Sequence, residues 1–250
     1  MTGATQTVVI IPTFNEALTL PDAIAGVRAS VPGVDVLVVD DASPDGTGQI
    51  AQTRADTDAA VHVLHRSEKS GLGGAYVAGF EWAQRHGYQT VVQMDADGSH
   101  RPEQLPSLLT ALADADVVLG SRYVRGGSVR NWPPRRRLLS RGGNLYARIL
   151  LGIPLRDATA GYRAFRVDAL DRLDLHTVAS AGYCFQVDLA RRAVRAGLCV
   201  VETPITFVER EKGDSKMTGA IVREALARIT AWGLLDRTRM LRERIRGGRR

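Results

Sequence analysis

Val36-Leu37-Val38-Val39 runs into Asp40-Asp41-Ala42-Ser43-Pro44-Asp45-Gly46-Thr47, and Val91-Val92-Gln93-Met94 runs into Asp95-Ala96-Asp97-Gly98-Ser99-His100. Each strand-like segment empties into a turn that carries carboxylates. Open α/β sheets bind ligands in the crevice outside the carboxyl ends of their strands. The two stretches therefore predict a sheet and, at one end of it, an acidic site.

The surrounding chain repeats the pattern. Thr7–Ile11, Asp35–Val39, Ala60–Leu64, Thr90–Met94 and Asp116–Gly120 are short β-branched runs, each followed by turn residues. Helical spacing fills the gaps at about Leu20–Ser30, Gly46–Ala55, Gly73–His86 and Pro102–Ala113. Pro21 and Pro102 suit first-turn positions, and Gly33 and Gly87 close their helices. Alternating β and α elements predict a mostly parallel sheet with helices on both faces. Beyond Tyr123 the pattern loosens. Arg125–Pro134 reads as a loop, Arg135–Leu151 as a helix, Ala160–Phe165 as a strand and Tyr183–Ala196 as a helix. Leu198–Phe207 reads as one strand that Pro204 restricts to an edge or its end. A loop over Glu209–Lys216 then precedes a last helix from about Thr218.

Asp95 and Asp97 stand two apart, so an extended backbone points both carboxylates to one side and Ala96 to the other. Such a pair offers hard oxygen ligands to Mg²⁺ or Mn²⁺, ions that also take substrate phosphate oxygens. The same spacing can cap a helix or build a turn, and both readings stand. His100 is either a further ligand or a hydrogen-bonding residue at the helix entry. Asp41 is placed to accept from a ribose or base edge, while Ser43–Thr47 is turn and N-cap chemistry. In the first loop, Phe14 can pack a base and Glu16 bond to it; Asn15 and Glu16 can equally cap the next helix. Gly71-Leu72-Gly73-Gly74 has neither the P-loop ending nor dinucleotide-binding spacing, and takes a backbone-packing role. These residues together predict a metal-dependent enzyme acting on a nucleotide-sugar-like substrate.

At 250 residues, 44% hydrophobic and 24% charged, the chain is long enough for a substantial core. Net charge is +6, unevenly spread. Nine arginines and no acid lie between Arg122 and Arg156, and seven arginines with one acid, Glu243, between Arg237 and Arg250. Such blocks point to an anionic partner: phosphate, a lipid surface or nucleic acid. Aromatics are 6% and no nucleic-acid-binding motif accompanies the arginines, which ranks nucleic acid last. Two cysteines, Cys184 and Cys199, without ligand spacing fit a reducing cytoplasm. No stretch approaches the ~18 uncharged apolar residues of a spanning helix.

The runs Pro12-Thr13-Phe14-Asn15-Glu16, Val39–Thr47 and Asp95–Pro102 resemble inverting glycosyltransferases of the GT-A fold. Within them, Gly120-Ser121-Arg122-Tyr123, Ser140–Asn144, Asp157–Arg163 and Phe207–Arg210 through Ser215-Lys216 resemble the dolichyl- or polyprenyl-phosphate mannosyltransferase family. The resemblance spans Val8 to Lys216. It departs at Phe14, where the family commonly has Tyr, and at Ser99, where some members have Gln. It implies a Rossmann-like, mostly parallel α/β sheet over residues 1–216 and a C-terminal helix with a basic tail over 217–250. It implies mannose transfer from GDP-mannose to polyprenyl phosphate, with Mg²⁺ or Mn²⁺. Pro12, Phe14, Glu16, Val39 and Asp41 would hold the nucleoside. Asp95, Ala96, Asp97 and Ser99 would serve the diphosphate and metal. Arg122, Arg210 and Lys216 would bind phosphates, and Arg122, Arg136 and Ser140 the acceptor phosphate. Asp95, Asp97 and Arg122 carry the catalytic assignment.

A polyprenyl acceptor implies a membrane surface, peripheral placement on its cytoplasmic face, and in some members a separate membrane-anchoring protein. In the tail, Ile221, Ala225 and Ile229 share helical spacing, as do Val222, Leu226 and Gly233, with Leu234, Leu235, Leu241 and Ile245 beyond. This is either an interfacial amphipathic helix on anionic lipid or a surface helix packed on the core. Two rivals remain: the same fold using a UDP-sugar such as UDP-glucose, and a non-catalytic nucleotide- or phospholipid-binding scaffold.

Overall fold

The computed structural model describes residues 6–69, 71–178, 183–209 and 219–247. Its first half follows the predicted alternation: β1 (Thr7–Thr13), α1 (Leu20–Ser30), β2 (Asp35–Asp40), α2 (Thr47–Thr57), β3 (Val61–His65), α3 (Gly71–Arg85), β4 (Thr90–Gln93), α4 (Leu105–Ala111) and β5 (Val117–Ser121). Then come β6 (Ser128–Arg130), α5 (Pro134–Leu151), β7 (Arg163–Arg166), α6 (Val167–Asp171), α7 (Tyr183–Arg195), β8 (Val200–Pro204), β9 (Thr206–Val208) and α8 (Gly219–Gly247).

The main sheet has the order β3-β2-β1-β4-β7-β5-β8. All its pairs are parallel except those of β7, which is antiparallel to both β4 and β5. The chain lays down β1, β2 and β3 in one direction and then returns to place β4 on the other side of β1. That reversal opens a crevice at the carboxyl ends of β1 and β4, where ligands bind in such sheets.

Side-chain alternation divides the core in two. Val8, Ile10, Leu37, Val39, Val91 and Phe165 face a layer of α3, α5, α6, α7 and α8. Val9, Ile11, Val36, Val38 and Val92 face α1, α2 and α4. Each fully buried Ile, Leu or Val contributes about 1.5–3 kcal/mol. α1 shows the local logic: Leu20, Ala23, Ile24 and Val27 are buried on one stripe, with Pro21 in the first turn. It ends at Val31 (φ −141°, ψ 87°) because Pro32 forces the residue before it into an extended conformation. Gly33, expected to close this helix, has no left-handed φ, whereas Gly87 (φ +76°) does close α3.

The second half departs further. The Arg125–Pro134 loop contains β6, and the run Leu198–Phe207 is two strands rather than one. Pro204 ends β8, which pairs with β5 at the sheet edge. After Ile205 the chain turns away to pair β9 with β6 in a separate two-stranded sheet.

Among the described residues no helix is long and apolar enough to cross a membrane. The first part of α8 is a packed helix. Ile229 is buried in the core, Gly233 lies so near Leu150 that a Cβ would stand 2.8 Å from its carbonyl oxygen, and Tyr146 and Thr230 share a hydroxyl–hydroxyl bond at 2.7 Å. Buried Asp236 accepts from Arg191 Nε at 2.7 Å and pairs with Arg195 at 2.8 Å. Leu234 and Leu235 are exposed, and the side chains of Ile221, Leu241 and Ile245 lie outside the described set. A chain ending at Gly233 is therefore expected to be about 2 kcal/mol less stable than one ending at Asp236, because it lacks the Asp236 pairs. Urea unfolding of the two truncations checks this.

Candidate active site

Loop residues after β1 and β2 are laced together. The Asn15 amide donates to Ser43 Oγ (3.1 Å), the Glu16 amide to Thr47 Oγ1 (3.0 Å) and the Ala17 amide to Asp45 Oδ2 (3.1 Å). Asp45 also accepts from the Thr47 amide and hydroxyl. Its slight burial works against ionisation, but these hydrogen bonds win and hold the carboxyl below the usual range. Asp40 is the buried knot of the second loop, accepting from Thr13 Oγ1 (3.0 Å), Ser43 Oγ (2.6 Å) and the Ser43 amide (3.2 Å). Ala42 sits in the left-handed region (φ +54°). A non-glycine residue there costs about 1–3 kcal/mol and marks a loop held by its surroundings.

Against this frame the expected nucleoside residues fall in different places. Asp41 is buried and ion-paired to Arg66 at 2.7 Å. Pro12 and Phe14 are half-buried, with Lys69 Nζ 3.7 Å from the Phe14 ring centroid. Glu16 turns back to α1: Thr19 Oγ1 donates to its Oε2 (3.0 Å), and the Thr19 and Leu20 amides donate to its carbonyl. Val39 is fully buried in the core below α3, so its side chain supports the loop rather than facing the crevice.

The acidic pair follows β4. Both carboxylates are half-exposed, while Ala96 is buried in the opposite core layer, as the i, i+2 spacing requires. Asp95 Oδ1 accepts from Tyr76 Oη at 3.1 Å. Tyr76 is fully buried on α3 and stacked on Phe185. Its burial, then the nearby Asp95 and Asp97 charges, push the phenol well above its usual range, so it remains a donor. The Asp95 amide donates to His100 Nδ1 (3.0 Å), which in neutral imidazole places the proton on Nε2. His100 is buried, stacked on Tyr162 and edge-on to Phe207. It orients Asp95 and its Nδ1 is committed to that amide. Asp97 Oδ1 accepts from the Ser99 amide (3.1 Å) in a turn through Gly98. Gly161 closes the floor: a Cβ there would stand 3.2 Å from His100 Cε1 and 3.6 Å from Asp95 Oδ2.

Among the described residues no three His, Cys, Asp or Glu side chains gather as a metal cluster. What they provide is two carboxylates and, two residues after Asp97, a buried Ser99 Oγ with no hydrogen-bond partner. An all-oxygen, incomplete donor set fits a hard divalent ion that shares a substrate's phosphates.

Basic residues gather past β5. Arg122 is almost wholly buried and gripped by fully buried Asp157: its amide (2.9 Å) and Nε (2.7 Å) donate to Oδ2, and Nη2 (2.6 Å) donates to Oδ1. Nη2 also donates to Thr159 Oγ1 (2.7 Å), and Asn144 Nδ2 bonds to both Asp157 and Thr159. Burial alone would raise Asp157, but the Arg122 charge and hydrogen bonds hold it below the usual range. Arg163, fully buried beneath, donates to the Ala158 and Ala160 carbonyls, and burial lowers it to about 9.

Arg136 lies over the Trp132 ring at 4.3 Å and donates to both carboxylate oxygens of Glu209. Arg122 stands 5.4 Å from that same ring and 5.5 Å from Phe207. Ser140 Oγ accepts from Tyr123 Oη at 2.7 Å. The structure thus brings Arg122 and Arg136 together around Trp132, and joins them to Asp95 through Phe207 and His100. Arg210 and Lys216 lie outside the described residues. Tyr76, Asp157, Trp132, Glu209 and Arg66 are the site residues to which no role had been given from sequence. For Asp157 and Glu209, their place in the family-like runs Asp157–Arg163 and Phe207–Arg210 is the one available signal.

The family model described as Glycosyl transferase family 2 matches residues 8–174. An undecaprenyl-phosphate mannosyltransferase from Micrococcus luteus is 58% identical over 236 residues, 94% of this chain and 97% of that protein. A polyprenol monophosphomannose synthase from Mycolicibacterium smegmatis is 55% identical over 239 residues, 94% of this chain and 90% of that protein. A solved structure of glucosyl-3-phosphoglycerate synthase from Mycobacterium tuberculosis, in complex with Mn²⁺, UDP-glucose and phosphoglyceric acid, shares the fold. Its TM-score is 0.69 at 22% identity, over 92% of this chain and 80% of that one.

Proposed function

The chain belongs to glycosyl transferase family 2, and from that premise we propose that it transfers mannose from GDP-mannose to a polyprenyl phosphate, giving a β-mannosyl phospholipid and GDP. The observation that carries this reading is the junction of two halves. An acidic pair suited to a metal–diphosphate and two arginines suited to a second phosphate share one aromatic wall, Phe207 and Trp132. The mannosyltransferase relatives at 58% and 55% identity support the sugar and the lipid.

In the mechanism, Asp41 and the half-buried Phe14 receive the nucleoside. Asp95, aimed by Tyr76 and His100, and Asp97, with Ser99 beside them, would hold Mg²⁺ or Mn²⁺. When bound, such an ion neutralises the departing diphosphate. Arg122 and Arg136 hold the acceptor phosphate, Ser140 orients it, and Glu209 yields Arg136 to it. Arginine forks suit this task because they match phosphate oxygens in pairs. A phosphate monoester with a second pKa of ~6 is largely dianionic near neutrality, so its oxygen attacks the sugar C1 with no protein base. The C1–O bond to the lipid phosphate forms as that to the diphosphate breaks, inverting α to β. Arg210 and Lys216 would add phosphate-binding charge. Catalysis is positioning and charge stabilisation. Such an enzyme works peripherally at the cytoplasmic face of a membrane, alone or with an anchoring subunit.

Mass spectrometry of the product tests the reading. With polyprenyl phosphate, GDP-mannose and metal, one hexose is expected on the lipid, and none with EDTA. Hexose transfer from UDP-glucose but not from GDP-mannose would replace the donor.

A further inference from the structure

Three polar side chains lie buried beneath Asp95 with hydrogen-bonding atoms that no described residue meets. Gln93 is fully buried, and both atoms of its amide are without a partner. Arg163, opposite it in the β4–β7 register and equally buried, spends Nε and Nη2 on backbone carbonyls and leaves Nη1 unmet. Gln186, 3% exposed, has neither amide atom partnered. Such groups are rare in folded proteins, because they give up hydrogen bonds to water and receive none in return.

The fold gathers all three on one side of the sheet and at one end. Gln93 stands two residues before Asp95, so both side chains point to the layer of α3 and α7, where Asp95 meets Tyr76. α7 leads into β8, which is parallel to β5, so the helix begins at the carboxyl ends of those strands. In its first turn Phe185 stacks on Tyr76, the donor to Asp95. Gln186 follows at the head of the stripe that continues through the core residues Leu189, Ala190 and Ala193. Its amide therefore covers the layer that Gln93 and Arg163 floor. Gly161, two residues before Arg163, puts no side chain beside Asp95 Oδ2.

The unmet atoms define what they can bind. Two amide oxygens need donors, and two amide nitrogens with one guanidinium nitrogen need acceptors. A phosphate near neutrality supplies acceptors almost alone, and a prenyl chain supplies neither. Neighbouring hydroxyls supply both. We propose that Gln186, over the Gln93–Arg163 floor, takes hydroxyls of the hexose carried by the nucleotide and so determines which hexose is accepted. The assignment rests on the nucleotide-sugar reading above, in which the hexose is joined to the diphosphate that the acidic pair serves. A site that hydrogen-bonds a substrate hydroxyl discriminates steeply against the analogue lacking it, since its own buried groups are then left unpaired.

Titration calorimetry on the full chain with Mn²⁺ tests this, without acceptor lipid so that transfer does not enter. Gln186→Met keeps the volume and the helix propensity and removes both amide atoms. It is expected to weaken GDP-mannose by ~10–100-fold and to leave GDP within about twofold. Thermal melting of the ligand-free variant is expected at or above wild type, because an unpaired buried amide has gone. Gln186→Leu, measured alongside, covers a folding defect peculiar to methionine. Among monodeoxy-hexose analogues of GDP-mannose, one is expected to bind wild type as weakly as GDP-mannose binds the variant, and the variant is expected not to distinguish the two. Equal losses for GDP-mannose and GDP would overturn the proposal, as would a variant that discriminates every monodeoxy analogue as wild type does. So would lowered melting with the preference for sugar nucleotide unchanged, the result expected if ordered water or a neighbouring side chain holds the amide. UDP-glucose and UDP are measured in parallel. Wild-type binding of that pair in place of GDP-mannose and GDP would correct the donor alone, and UDP-glucose against UDP would then decide the role of Gln186. Binding of neither pair would end both readings.

Discussion

Asp97→Asn lowers mannosyl transfer at saturating donor by a factor of ~10²–10³ and leaves thermal stability where it was, because the substitution removes charge and little else. The Ser99 amide that Asp97 Oδ1 accepts can be accepted equally by an asparagine oxygen, so the turn through Gly98 survives. What disappears is half of a dianionic oxygen pair on a half-exposed loop, where it has no core role to confuse the result. A steady-state series over Mn²⁺ concentration separates the causes. If Asp97 holds the ion, excess Mn²⁺ restores part of the rate. If it acts on substrate alone, the deficit is independent of Mn²⁺. Full transfer by Asp97→Ala would remove the metal from the account and leave a scaffold with a vestigial site. Asp95→Asn should behave alike in rate, with its remaining oxygen still able to accept from Tyr76.

The first half of the fold and its acidic crevice were readable because period and chemistry agreed. Strands β1 to β5 are buried β-branched runs, and the helices between them repeat at 3.6 with clear start signals such as Pro21. The i, i+2 carboxylates after β4 needed no tertiary knowledge. Beyond β5 the information became non-local. β6 and β9 are three residues each, too short to show a period, and exist because they pair across more than seventy residues. The single run Leu198–Phe207 looked continuous, since nothing in its composition says that Pro204 and Ile205 end one sheet and begin another. Tyr76 reads as an apolar-stripe aromatic on α3, which it is. Its hydroxyl acts only because β4 lies alongside. Arg122 was identifiable as a cation at a strand end. That its charge is already met by a carboxylate 35 residues later could not be seen, since pairing of this kind follows from the packing of α5 against the 157–163 turn.

That buried pair sets the largest stability effect expected in the molecule. Asp157→Ala should cost about 3–5 kcal/mol, because it strands the Arg122 guanidinium, almost wholly removed from water, without its counter-charge. The loss also frees Asn144 and Thr159 from their shared acceptor. The pH dependence has a definite sign. Asp157 is held below the usual carboxylate range, so the folded state binds its proton less readily than the unfolded chain does. Its contribution is complete above the unfolded carboxylate pKa of about 4 and fades as pH falls through the lower folded value. Urea unfolding at neutrality should therefore separate wild type from Asp157→Ala widely, and the gap should narrow in stronger acid. A second variant distinguishes holding the fold from holding the substrate. Arg122→Met/Asp157→Leu replaces both charges by apolar volume, a change that is often neutral or stabilising for buried pairs. It should recover most of the lost stability while transfer to polyprenyl phosphate stays abolished, because the recovered packing offers no fork to a phosphate. Recovery of both would reduce Arg122 to a structural cation and shift the acceptor phosphate onto Arg136 alone.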